Sequence, residues 1–284
     1  MFTVNASLTG AAVYLDNFAI MDLAEGDVER RQQFIAALQS GLVDLLFSAS
    51  NVVDLSGPLG KSRDAAKILL DEVGPHWFPV ELDPAIVVDR EKKGIIPAFS
   101  CLSERLLRDL FADRLKAQSG KIIVVSSDLF GLGAVLEWIS PQRDSLRDGI
   151  VKLDDALIEK IDGYCIEFAR DPGWLDRSFP AVAYTPSRPA TFAYINLVRH
   201  LIVEPAKGRK IRKGDGLDFC HTVIACGCAS AAMLDKHWKQ RVEAFPQPNN
   251  IAPIYYGPNL DQLVSDLYAR TIENPGRGLR SAPV

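Results

Sequence analysis

Short apolar runs alternate along this chain with longer stretches in which apolar residues recur every three or four positions, the signature of buried strands between amphipathic helices. Ala11-Ala12-Val13-Tyr14-Leu15 reads as a buried first strand, ended by Asp16. Residues 28–39 read as a helix with Phe34, Ile35 and Leu38 on one side, stopped near Gly41. Leu42 to Phe47 is a second strand, and Ser48 to Leu55 starts another helix that carries Asp54. After the Gly57-Pro58 break, Arg63 to Val73 is helical, and Trp77-Phe78-Pro79-Val80 is a short third strand whose proline places it near a sheet edge.

From about Gly94 to Pro205 the texture changes to long amphipathic helices, near 103–117, 129–139, 153–170 and 191–203, with a proline-rich loop at 179–189. Lys121 to Val125 fits an extra strand or a buried connector. Gly214-Asp215-Gly216-Leu217-Asp218 then opens a helix with two acids one turn apart. Small residues (Ala225, Gly227, Ala229, Ala231) in its interior would let another element pack closely. A short buried strand ends on Asp235. A helix to about Val242, a strand at 251–256 and a helix at 260–272 complete the pattern, and the Gly/Pro-rich tail after Asn274 reads as loose. Strands alternating with helices imply right-handed crossovers and a parallel sheet covered on both faces. The expectation is one α/β domain over residues 1–284: three layers, about five parallel strands, core segments about 10–93 and 206–272, and a helical insertion about 94–205 between the third and fourth strands.

Composition narrows the class. The 284 residues are 48% apolar and 24% charged, enough to bury a core, and the net charge of −4 argues against a uniformly basic nucleic-acid binder. Five cysteines without a disulfide-framework spacing fit a reduced compartment. No apolar run approaches the ~20 residues of a membrane span, and no signal-peptide pattern opens the chain. A cytoplasmic, soluble protein with no membrane partner is expected.

In a parallel sheet the strand C-termini share one edge, so residues far apart in sequence meet there. Asp16, Asp54, the Asp215/Asp218 pair and Asp235 can all be placed at that edge. Crowded carboxylates repel one another unless a cation neutralises them, and Mg²⁺ or Mn²⁺ takes such oxygen ligands. One or two such ions can polarise a phosphoryl oxygen and deliver an activated water. The basic loop Lys207, Arg209, Lys210, Arg212 and Lys213 would grip a phosphate backbone, and Lys236 beside Asp235 would contact the scissile phosphate or balance charge. Each piece has a plainer reading. Asp215 and Asp218 sit where an N-cap and an N3 acid would sit, Asp16 is a turn residue at a strand end, and the basic run is a solvated loop. Two other motifs carry less. Gly57-Pro58-Leu59-Gly60-Lys61-Ser62 ends like a P-loop, but its first glycine would be at position 55, which is Leu55. Cys226 and Cys228, two apart on a helix, point away from each other and read as buried small residues, not zinc ligands. His221, one turn after Asp218, lines the site or packs.

The order of the acids resembles the PIN-domain-like superfamily of metal-dependent ribonucleases. The resemblance is carried by Val13-Tyr14-Leu15-Asp16-Asn17, by Ser50-Asn51-Val52-Val53-Asp54, by Gly214-Asp215 through His221, and by Leu234-Asp235-Lys236. It implies a metal-dependent endonuclease acting on RNA more than DNA. Asp16, Asp218, Asp235 and Asp215 would lie at the metal, and Asp54 would complete the catalytic set from the position usually held by Glu. Asp54 is one methylene shorter than Glu, and Asn17-Phe18 replaces the usual pair after the first acid. These departures motivate the alternative of a catalytically inactive PIN-like module that binds RNA or a protein partner. A homo-oligomer and an inhibitor protein are further partner expectations.

Overall fold

The computed structural model describes residues 2–4, 8, 11–57, 60–106, 123–125, 131–208 and 210–273. Five parallel strands form the central sheet: β1 Ala11–Leu15, β2 Val43–Ser48, β3 Trp77–Val80, β4 Ala231–Met233 and β5 Ile254–Tyr255. Their spatial order is β3-β2-β1-β4-β5, so the order reverses on either side of β1. β1 to β4 are buried along their whole length, as a sheet covered on both faces requires. Register sets Leu15 opposite Met233, and the Asp16 N–H donates to the Met233 carbonyl at 3.1 Å. The ends of β1 and β4 are therefore laced together at the switch point. β3 is an edge strand, as Pro79 demands, and residues 101–103 cover part of that edge through Glu81 N to Cys101 O and Ser103 N to Pro79 O. A separate parallel pair joins Phe2–Val4 to Ile123–Val125, so the expected element near 121–125 is a strand outside the main sheet. Residues 121 and 122 lie outside the described set.

On one face, the helices α1 Asn17–Glu25, α2 Val28–Gln39 and α4 Lys61–Val73 pack together, joined by the last helix, α11 Leu260–Glu273. Between them in sequence, α3 Ala49–Leu55 sits at the C-terminal edge of β2. On the other face lie α5 Pro84–Lys92, α8 Pro189–Val203, α9 Asp215–Cys228 and α10 Lys236–Glu243. α6 Leu132–Ile139 packs on α4, and the 28-residue α7 Arg143–Arg170 runs past α3, α8 and α9. α1 and α5 are not marked by the apolar pattern. Each is short, each starts at an aspartate cap (Asp16, Asp83), and its polar side faces solvent. α7 begins ten residues earlier than the pattern suggests, because half of residues 143–152 are charged and the stretch is partly exposed.

The described helices of the segment 94–205 share the core of the sheet. Phe192, Leu197 and Leu201 of α8 and Ile161 of α7 belong to the same apolar cluster as the sheet. α8 and α9 approach closely, and a Cβ on Gly227 would stand 2.6 Å from Ala190 Cβ. That bears out the reading of Gly227 as a close-packing residue, whereas Ala229 and Ala231 fall beyond the helix, in the turn and in β4. Among the described residues, no helix is long and apolar enough to cross a membrane.

Candidate active site

Asp16 closes β1 and caps α1, its Oδ1 accepting from Asn17 N at 2.7 Å. Asp235 follows β4 and caps α10, its Oδ1 accepting from Trp238 N at 2.8 Å. Asp218, in the first turn of α9, accepts from the Trp238 indole N–H at 3.1 Å. Asp54, on α3, accepts from the Asn17 side-chain amide at 2.6 Å. Each carboxylate is thus aimed by one donor. Among the described residues the second oxygen of each accepts no hydrogen bond, and none of the four is ion-paired.

Their charges meet. Asp218 is pushed up to about 7, first by desolvation and then by Asp16 and Asp235, with the Trp238 donor pulling the other way and Asp215 adding to the rise. Asp16 is raised by desolvation and by Asp235, against the Asn17 N–H. Asp54, though exposed as a residue, is raised by partial desolvation of its carboxyl; His221, Arg147 and Arg143 pull it down and Asp16 pushes it up. Asp16, Asp54, Asp218 and Asp235, drawn from four segments, therefore share one field at the C-terminal edge of the sheet.

Asp215 does something else. The N-cap of α9 is Gly214, in a left-handed conformation (φ 96°) with no side-chain cap of its own, so the expected capping role of Asp215 is not realised. Its carboxylate instead accepts from Arg212 N at 2.7 Å and steadies the entering loop. The helix start is satisfied from α7: buried Asp154 accepts from Gly214 N at 2.9 Å and Leu217 N at 3.1 Å. Gly216 has no room for a side chain because Asp154 Oδ1 would lie 2.7 Å from its Cβ. A cap delivered from sixty residues upstream leaves no local sequence pattern. With its helix end already satisfied, Asp218 is left to the site.

A second remote support orients Asp218. Glu204, just after α8, holds Arg241 through two bonds (3.1 and 2.7 Å), and the Arg241 guanidinium lies 4.2 Å over the Trp238 ring. His221 is buried, bonded through Nε2 to Ser50 Oγ at 2.5 Å and tilted against Tyr14, and desolvation lowers it to about 4, so it is neutral. Lys210, Arg212 and Lys213 are exposed on the loop before Asp215, Lys207 ends a 3₁₀ turn, and Lys236 is exposed on the first turn of α10. Arg209 lies outside the described residues, as do Pro58 and Leu59 of the P-loop-like stretch. Arg63 of that region is bonded to Ser140 Oγ at 3.1 Å. Of the two cysteines read as buried small residues, Cys226 is buried, whereas Cys228, the last residue of α9, is only half-buried. Arg143, whose Nε donates to Val53 O at 3.3 Å, and Arg147 stand on the Asp54 side of the edge and carry charge that the sequence did not single out.

Among the described residues no three His, Cys, Asp or Glu side chains are placed closely enough to hold a metal ion as they stand. The donor set nevertheless fits a hard divalent cation in chemistry: carboxylate oxygens, unbonded, in a shared negative field.

The field has a measurable cost. Asp218's carboxyl is raised from 3.8 to about 7, so its favourable contribution is full below the unfolded value and lost as pH rises through 7. In metal-free buffer Asp218→Asn is expected to gain about 2 kcal/mol at pH 8, the full shift being discounted for partial exposure. That is about 3 °C in melting temperature, shrinking to nothing near pH 4. The opposite slope from His221 is common to both proteins and cancels. Equal melting curves at pH 8 would show that the carboxylates do not interact.

Comparison with family models, with curated proteins and with solved structures returns no match for this chain.

Proposed function

We propose that the protein is a divalent-cation-dependent endonuclease of PIN-like architecture that hydrolyses phosphodiesters, RNA before DNA. The observation that supports this best is the set of four aspartates from distant segments, each aimed by a single donor with its other oxygen unbonded among the described residues, at the switch point of a parallel sheet. Ligand sites in open parallel sheets lie in that crevice. Asp16, Asp218 and Asp235 would hold Mg²⁺ or Mn²⁺, which supplies phosphoryl polarisation and an acidified water. Asp54 orients the attacking water from the β2 side, with Arg143 and Arg147 near it to hold phosphate. Asp215, the first residue of α9, contributes charge. Lys207 to Lys213 and Lys236 extend the basic surface along the backbone of the substrate.

The alternative, an inactive module that binds RNA or a protein, is favoured by the short side chain of Asp54 and by the absence of a closed three-ligand group among the described residues. Incubation with a labelled RNA that has both paired and unpaired segments separates the two. Cleavage is expected with millimolar Mn²⁺, and EDTA is expected to abolish it. RNA binding without cleavage under both Mg²⁺ and Mn²⁺ would establish the alternative.

A further inference from the structure

A chain of polar side chains runs beneath the acid edge. His221 Nε2 meets Ser50 Oγ at 2.5 Å, Ser50 Oγ meets Ser48 Oγ at 2.8 Å, and Ser48 Oγ meets Asn51 Oδ1 at 2.8 Å. Asn51 Nδ2 then donates to Asn17 Oδ1 at 2.8 Å, and Asn17 Nδ2 donates to Asp54 Oδ2 at 2.6 Å. Ser48, Ser50, Asn51 and His221 are buried, Asn51 completely.

The direction of every bond in this chain follows from its two ends. Asn51 Oδ1 also accepts from the Ser48 backbone N–H at 2.9 Å, and a backbone N–H can only donate. That fixes which end of the Asn51 amide is oxygen, so its nitrogen faces Asn17. The Asn17 amide is fixed in turn, and its N–H₂ points at Asp54, where a carboxylate can only accept. In the other direction, Ser48 spends its single hydroxyl proton on Asn51. Ser50 must then donate to Ser48 and accept from His221. Each hydroxyl has one proton, so His221 is the Nε2–H tautomer. Its Nδ1 is left as a bare lone pair, buried beside Tyr14 with no hydrogen-bond partner among the described residues.

We infer that Asn17 and Asn51 are positioning residues for Asp54, held at the end of a one-way hydrogen-bond chain that starts at the neutral His221. The short aspartate reaches its place at the edge because Asn17, anchored through Asn51 to the capping box of α3, fixes one of its oxygens and leaves the other free. That Asp54 orients water rests on the nuclease reading above; the chain and its polarity do not.

Two measurements on the protein decide the chain without reference to activity. In ¹⁵N spectra of the wild-type imidazole at pH 7, His221 is expected to show a protonated Nε2 and an unprotonated, non-hydrogen-bonded Nδ1; an Nδ1–H tautomer would overturn the polarity. In a crystal structure of Asn17→Ala, Asp54 is expected to leave its position or to split between rotamers. An unmoved Asp54 would overturn the positioning role. Asn17 is partly exposed, which makes this variant the safe one to fold, whereas Asn51 is not. In the cleavage assay, Asn17→Ala is expected to lower kcat about 10- to 100-fold with KM unchanged, and to add nothing to Asp54→Asn in the double variant. Full additivity would show that Asn17 acts elsewhere. A wild-type protein that does not cleave RNA at all ends the nuclease reading, and the spectroscopic and crystallographic results still judge the chain.

Discussion

Replacing Asp16 and Asp235 together by asparagine is expected to abolish RNA cleavage, a loss of at least about 10³-fold in kcat, while the chain stays folded. The two halves of this expectation have separate grounds. Asp16 and Asp235 follow the neighbouring strands β1 and β4, laced by the Asp16 N–H to Met233 carbonyl bond, so they stand at the same edge of the sheet. Removing both charges takes away two of the three carboxylates assigned to the cation. Asparagine, however, keeps the oxygen that accepts from Asn17 N and from Trp238 N, and it caps helices about as well as aspartate. Local structure at both helix starts is therefore retained. Circular dichroism with a melting curve checks the fold, and the RNA assay with Mn²⁺ checks the chemistry. Undiminished cleavage by the folded double variant would remove the nuclease assignment.

The same contrast explains what could be read from the sequence. β1, β2, β3 and α2 are legible because strand and helix periods differ and because turn residues such as Gly41 mark their limits. Parallel pairing then follows from alternation, and with it the meeting of Asp16 and Asp235. β5 is only two residues long where the apolar run is six, since pairing to β4 ends where β4 itself turns away into α10. The supporting groups are less visible. Asp154, Glu204 and His221 act across sixty, thirty-seven and one hundred and seventy-one residues of chain respectively, on Gly214, Arg241 and Ser50, and no local spacing announces them. Asn17 is a different case. Its identity stands out against the resemblance, yet only the bond to Asp54 gives it a role. Asp16 and Asp235 stand directly after strands, where the pattern changes. Asp154 and His221 sit inside long helices, where nothing in the pattern marks them.

The helical segment between β3 and β4 becomes intelligible on the same argument, because it holds α9 at both ends of its functional turn. Asp154 on α7 binds the start of the helix, and Glu204 after α8 reaches Asp218 through Arg241 and Trp238. Asp154→Ala is accordingly expected to be the most destabilising of the substitutions considered, by about 3 kcal/mol. It strands the N–H groups of Gly214 and Leu217, removes a negative charge from the positive end of a helix, and leaves a gap against Gly216 that cannot refill without moving backbone. Asp154→Asn should lose about half of that. Its single acceptor oxygen satisfies one N–H, while its amide faces the other as donor against donor. Chemical denaturation of the three proteins at pH 7 gives the ranking directly. If both variants match the wild type, the start of α9 is held by something other than Asp154. If the ranking holds, residual cleavage by Asp154→Asn should fall with kcat rather than KM, because the helix that carries Asp218 has lost its anchor while the exposed basic loop remains.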